Sequence, residues 1–153
     1  MTARIRPFRT GDAPHLAALV RRCLRETNGR DYPADVVDMM SARFTAERFV
    51  ELSERRGIYV ADDGRAVGTV SRDGNKVHML FVDPGLSGGG IGRRLLRHVE
   101  ELAAREGHAY METGASVTAH TFYLRLGYSD VREDDTEFGA DYTLRKPLRP
   151  VAR

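Results

Sequence analysis

The sequence predicts an α/β fold of the α+β kind: a mixed, partly antiparallel sheet of about six to seven strands, flanked by about four to five helices. Three observations carry that expectation. The apolar residues keep a helical period up to Gly57 and then change to short strand-like runs. Two turns, Asp63-Gly64 and Asp73-Gly74-Asn75, separate three such runs, as an antiparallel meander requires. A glycine-dense turn then opens an amphipathic helix, and a further strand, helix and strands follow it.

Taken in order, Ile5 and Pro7-Phe8 suggest a short opening strand. Asp12 is placed to cap a helix by accepting backbone N–H bonds, with Pro14 tolerated in the first turn. That helix runs to about Glu26, with Leu16, Leu19, Val20, Cys23 and Leu24 at helical spacing. Residues 27–34 contain Asn28-Gly29 and Pro33 and read as a loop. Val36, Val37, Met39, Met40 and Phe44 are again helically spaced. Thr45 caps another helix bearing Phe49, Val50 and Leu52, which Gly57 ends. Strands follow at 58–61, 66–71 and 77–82. The helix after the glycine turn spans about Gly90 to Arg105, with Ile91, Leu95, Val99, Leu102 and Ala103 on one stripe. A strand near 109–113 and a helix over 117–126 come next, and Gly127 ends that helix. Residues 128–131 form a strand, and Phe138, Ala140, Tyr142 and Leu144 alternate as the last one.

The length of 153 residues suits one domain over 1–153, large enough to bury a core without disulfides. A formal net charge of only +2, with no separate basic run, argues against nucleic acid as a partner. The lone thiol, Cys23, reads as a core residue. No signal-peptide core and no stretch of membrane-spanning length is evident, so no membrane partner is expected and the cytoplasm is the default location. The histidines show no metal-ligand spacing, and no metal is expected. His15, His98, His108 and His120 read as surface or capping residues.

The most informative segment runs from Phe81 to Leu96, FVDPGLSGGGIGRRLL. Glycines allow a tight bend and close approach of backbone to a ligand. The first N–H groups of a helix have no internal partner, and the helix dipole favours an anion there. Such a turn can hold a diphosphate without a dedicated cation. It is not a Walker loop, because Ile91 stands where the essential Lys belongs. It is not the GxGxxG dinucleotide fingerprint either: the final Gly is replaced by Arg93 or Leu95, depending on register.

Val82, Pro84, Gly90 and Gly92 resemble motif A of the GCN5-related N-acetyltransferases (GNAT superfamily), V-x-P followed by [QR]-x-x-G-x-[GA]. Ser87 departs from the usual Gln or Arg, which weakens one phosphate contact. Gly89 departs from the common basic residue, which adds ordering entropy on binding. Ser116, Ala119, Phe122, Tyr123, Gly127 and Tyr128 match motif B, [NS]-x-x-A-x-x-[FL]-Y-x-x-x-G-[FY]. The two motifs are separated by room for one helix and one strand. With the element order, the resemblance covers nearly the whole chain and is weakest over 27–57.

The resemblance implies a GNAT-like fold and an acyl-CoA-dependent enzyme that moves acetyl from acetyl-CoA to a primary amine by direct attack. The amine would belong to a small molecule or a peptide, and a homodimer is possible. The resemblance assigns the cofactor diphosphate to backbone N–H groups of Ser87, Gly88, Gly89, Gly90, Ile91 and Gly92. Arg93, with Arg94 beside it, is placed to reach the phosphates. The edge of the strand at Leu80, Phe81 and Val82 would hold the pantetheine, where splayed strands leave backbone groups unpaired. The N–H near Val82 would polarise the thioester carbonyl. Tyr123 is the candidate acid for the leaving thiolate, and Ser116 both caps its helix and touches the cofactor. His78 is the leading candidate base, since it interrupts an apolar strand and titrates near neutrality. Glu112 is the alternative, and a water chain would need neither. Tyr32, Asp35 and Asp38 could meet a cationic acceptor. The same motifs would also suit a non-catalytic acyl-CoA sensor, against which Tyr123 argues.

Overall fold

The computed structural model describes residues 2–137 and 139–150. The chain builds a seven-stranded sheet whose strands are β1 (Arg4–Pro7), β2 (Gly57–Asp62), β3 (Ala66–Asp73), β4 (Lys76–Val82), β5 (Tyr110–Ser116), β6 (Ser129–Thr136) and β7 (Gly139–Pro147). Their order across the sheet is β1-β2-β3-β4-β5-β7-β6. All neighbours are antiparallel except β4 and β5, which are parallel. The helices are α1 (Ala13–Glu26), α2 (Ala34–Ser41), α3 (Ala46–Ser53), α4 (Ile91–Arg105) and α5 (Val117–Arg125). This is the mixed architecture expected from the sequence.

The two faces of the sheet carry separate apolar clusters, and strand alternation decides which residue joins which. In β2, Ile58 and Val60 face α1 and α3, whose Leu16, Val20, Phe49 and Leu52 cover them. Ala61, one residue out of step, lies with Val67, Val77 and the α4 residues Leu95, Leu96 and Val99 on the opposite face. Gly68 in β3 permits that packing: a Cβ there would come within 3.0 Å of Leu95 and 3.1 Å of Ile91.

Several local expectations need correction. Asp12 precedes α1, but its side chain makes no cap bond to that helix. Its carboxylate accepts instead from the Arg9 N–H (2.7 Å) and from the Arg6 guanidinium (2.9 Å). The guanidinium is the stronger attraction for a carboxylate, and it lies on the β1 side. Gly57 opens β2 rather than closing α3, which ends at Ser53. The fifth strand reaches Ser116 and the sixth reaches Thr136, both further than their sequence suggests. Gly114 and the acidic run Glu133-Asp134-Asp135 disguise them, because ladder pairing with β7 supplies what propensity lacks. Phe138, part of the alternation expected for the last strand, lies outside the described residues. Thr45 caps α3 as expected, accepting from the Arg48 N–H at 3.1 Å. No helix among the described residues is long and apolar enough to cross a membrane.

Candidate active site at the splayed strands

The central strand β4 is irregular where it matters. His78 pairs with Ser71 and Phe81 with Thr69, so Met79 and Leu80 together oppose Val70 alone. This is a β-bulge, and Met79 takes a positive φ of 52°, alone among the described non-glycine residues. Such a conformation costs on the order of 1 kcal/mol in a side-chain-bearing residue, so the surrounding sheet must enforce it. On the other edge of β4 the parallel ladder to β5 ends at Val77 with Thr113. Beyond it the two strands diverge and a cleft of about 900 Å³ opens.

The cleft wall collects residues from distant parts of the sequence. Leu80, Phe81, Val82, Ser87, Gly88, Gly89, Gly90, Ile91, Gly92, Arg93, Ser116 and Tyr123 all line it. His78 and Glu112 do not. Glu112 is held by the Arg145 guanidinium at 2.8 Å, at the paired end of β5. His78 lies one residue before Met79, and its carbonyl accepts from the Ser71 hydroxyl. Burial, reinforced by Arg56, pushes its imidazole below the ordinary 6.5. Arg94 is not on the wall. Asp35 and Asp38 are exposed on α2, and the Tyr32 hydroxyl instead accepts from the Val117 N–H at 3.0 Å.

The glycine turn is built to leave amides bare. Gly90, with φ 85°, is the N-cap of α4. The N–H groups of Ser87, Gly88, Gly90, Ile91, Gly92 and Arg93 make no hydrogen bond within the described structure. Gly89 is the exception, since its N–H donates to the Leu86 carbonyl at 3.2 Å. Gly92 lets α4 approach the strand and α5: a Cβ there would stand 3.2 Å from the Phe122 ring and 3.5 Å from Val82.

The turn is anchored by Asp83, which sequence reasoning passed over. Its buried carboxylate accepts from Gly85 N–H at 2.9 Å, Arg65 at 2.9 Å and Arg22 at 3.2 Å. Burial opposes its charge, but Arg65, the Gly85 N–H and Arg22 outweigh that and hold its pKa below the ordinary 3.8. The Asp-Pro-Gly signal at 83–85 was legible as a turn, but the two distant arginines were not.

Tyr123 lies on α5, started by Ser116, whose hydroxyl accepts from the Ala119 N–H at 3.3 Å. Its ring meets Phe122 and Tyr128 edge-on, each with centroids 5.4 Å away. Burial pushes its phenol up to about 12 although Thr113 hydrogen-bonds it, so it keeps its proton at neutral pH. The neighbouring Tyr128 hydroxyl donates to the buried Glu100 carboxylate at 2.7 Å, which Lys146 also binds. This interior network fixes the floor under Tyr123. Cys23 lines the cleft but is buried, and its Sγ donates to the Val82 carbonyl at 3.1 Å. Desolvation, helped by Asp83, pushes that thiol up to about 12, which leaves it unreactive.

Two further arginines join Arg93 near the mouth. Arg93, Arg97 and Arg125 line an adjoining hollow of about 390 Å³ with Lys146. None of the three arginines has an ion-pair partner among the described residues. Arg97 lies one turn beyond Arg93 on α4, a spacing that could have pointed to it. No group of three or more His, Cys, Asp or Glu suited to a metal ion occurs among the described residues.

The family described as "Acetyltransferase (GNAT) domain" matches residues 25–143. The chain is 27% identical over 134 residues to the uncharacterized N-acetyltransferase YafP of Escherichia coli (strain K12), covering 87% of this chain and 85% of YafP. Its fold is similar to the crystal structure of a GCN5-related N-acetyltransferase from Rhodopseudomonas palustris, with a TM-score of 0.90, 24% identity and 97% of each chain covered. It is also similar to the PaiA N-acetyltransferase of Thermoplasma acidophilum in complex with coenzyme A, with a TM-score of 0.81 and 18% identity. That comparison covers 97% of this chain and 100% of PaiA.

Proposed function

The chain belongs to the GNAT acetyltransferase family, and from that premise we propose that it moves an acetyl group from acetyl-CoA to a primary amine by direct attack. One observation carries the reading: a run of unpartnered amides at the N-terminus of α4 opens into the cleft formed where β4 and β5 diverge. These amides and the helix dipole suit a diphosphate. Arg93, Arg97 and Arg125 add positive charge beside them for the rest of the phosphorylated nucleotide. The unpaired edge of β4 at Leu80–Val82 suits the amides of pantetheine, which would complete the interrupted ladder.

The chemistry follows from that pose. The neutral amine nitrogen attacks the thioester carbonyl carbon. A C–N bond forms, the C–S bond breaks, and sulfur leaves with the electron pair. A backbone N–H near Val82 stabilises the charge gathering on the carbonyl oxygen. Tyr123 donates a hydrogen bond to the departing sulfur. A phenol near 12 is a weaker acid than a thiol near about 8.5, so it stabilises the thiolate more than it protonates it. The proton lost by the amine leaves to water, and the thiolate is finally protonated from the same source. Among the described residues the wall carries no His, Asp, Glu or Lys, and its Tyr123 and Cys23 both keep their protons at neutral pH. Any part taken by His78 or Glu112 is therefore routed through water.

The test measures coenzyme A release from acetyl-CoA across small-molecule and peptide amines, beside acetyl-CoA binding. Amine-dependent release supports the reading. Tight binding with no release over a broad amine panel would instead indicate a sensor of acyl-CoA.

A further inference from the structure

Resting on the acetyl-transfer reading, we propose that the acceptor is an apolar amine carrying its own carboxylate, of the apolar α-amino acid class, and that Arg43 seats that carboxylate. The cleft extends past the bulge to α1 and α2, where Leu24, Met40, Phe44, Met79 and Phe81 form an apolar wall. Phe44 stands edge-on to Phe81 with centroids 5.7 Å apart, which makes an aromatic corner suited to an apolar side chain.

Charge on the wall is one-sided. No Asp or Glu lines the cleft among the described residues. Its charged side chains are Arg93 and Arg125, which also line the hollow beside α4, and Arg43, which follows α2 at the other end. A polyamine or aminoglycoside would bring several ammonium groups to a wall with no carboxylate to receive them. An amine with an attached carboxylate brings the charge that this wall can pair.

Arg43 is already engaged. It pairs with Glu137 at 2.8 Å, and both side chains are 61% exposed. An ion pair that open to water contributes little, so a substrate carboxylate in the cleft can compete with Glu137 for one edge of the guanidinium. The acidic residues of the β6–β7 hairpin are the natural counter-argument. Of its six, Asp130 is held by His120, Asp134 by Arg132 and Glu137 by Arg43; none of the six lines the cleft, and the nearest to its wall is Asp141, whose Oδ2 lies 3.9 Å from where a Cβ on Gly114 would stand.

The experiment compares coenzyme A release with leucine and phenylalanine against isoamylamine, phenethylamine and spermidine. Wild type and Arg43→Gln are both assayed, and acetyl-CoA binding is measured by calorimetry on each. The expected result is a kcat/KM at least tenfold higher for the amino acids than for their carboxylate-free counterparts. In Arg43→Gln that ratio falls on the order of tenfold or more, through KM of the amino acid, while the affinity for acetyl-CoA is retained. Equal or better turnover of carboxylate-free amines or spermidine by wild type would overturn the proposal, and so would an unchanged ratio in the variant. Acetyl-CoA binding with no turnover of any amino acid counts against it as well. Failure of wild type to bind acetyl-CoA would strike the underlying acetyl-transfer reading instead.

Discussion

At the scale of single residues, the sequence exposed the groups that carry the motif and hid those that position them. Tyr123 was legible because it sits in a recognisable pattern, and the fold adds its burial and its elevated phenol. On the proposed mechanism, Tyr123→Phe removes one hydrogen bond to the leaving sulfur. It should lower kcat roughly tenfold to a hundredfold, with acetyl-CoA affinity nearly unchanged. Equal kcat in the variant would end its assigned role. His78 was singled out because a polar residue interrupts an apolar strand, but the bulge at Met79 decides where side chains of β4 point, and no residue type announces it. With the proton leaving to water, log kcat/KM should rise with pH until the amine itself is deprotonated. His78→Gln should leave that limb in place, and a limb displaced by the variant would bring His78 into the proton transfer.

At the scale of elements, the existence of the five α-helices and seven strands of the described residues could be read from apolar spacing and turn residues, while the ends of β5 and β6, and the short 3-10 turn at Asn28–Arg30 inside the expected loop, could not. Those ends are fixed by ladder pairing with β7, a long-range effect invisible to local pattern. The turn before α4 depends in the same way on Arg22 of α1 and Arg65, just before β3, which converge on Asp83. Asp83→Asn keeps an acceptor for the Gly85 N–H but loses the charge that both arginines face. The loss should be on the order of 1 kcal/mol, since both arginines are partly exposed. The sign with pH follows from the depressed carboxyl. Its contribution is full above the unfolded value near 3.8 and is lost as pH falls through the lower folded value. Thermal melts should show the largest gap between wild type and Asp83→Asn at neutral pH and a shrinking gap below about pH 4. A gap that is constant with pH would mean that the charge is not what anchors the turn.

At the scale of the molecule, one sheet with a parallel junction at its centre produces the cleft. Two apolar clusters hold β4 from both faces, so its second half can part from β5 without the strand fraying. The mixed topology was legible from the meander and the crossover helix. The depth and charge of the cleft were not, because Leu24, Arg43, Phe81 and Tyr123 meet only after folding. On the proposed reading, bare amides at the start of α4 grip the diphosphate of coenzyme A, and backbone-amide NMR during titration with coenzyme A reads that grip residue by residue. Saturable shifts are expected at Ser87, Gly88, Gly90, Ile91 and Gly92, with a smaller one at Gly89, whose N–H already has a partner. Saturating coenzyme A with those resonances unmoved would contradict it.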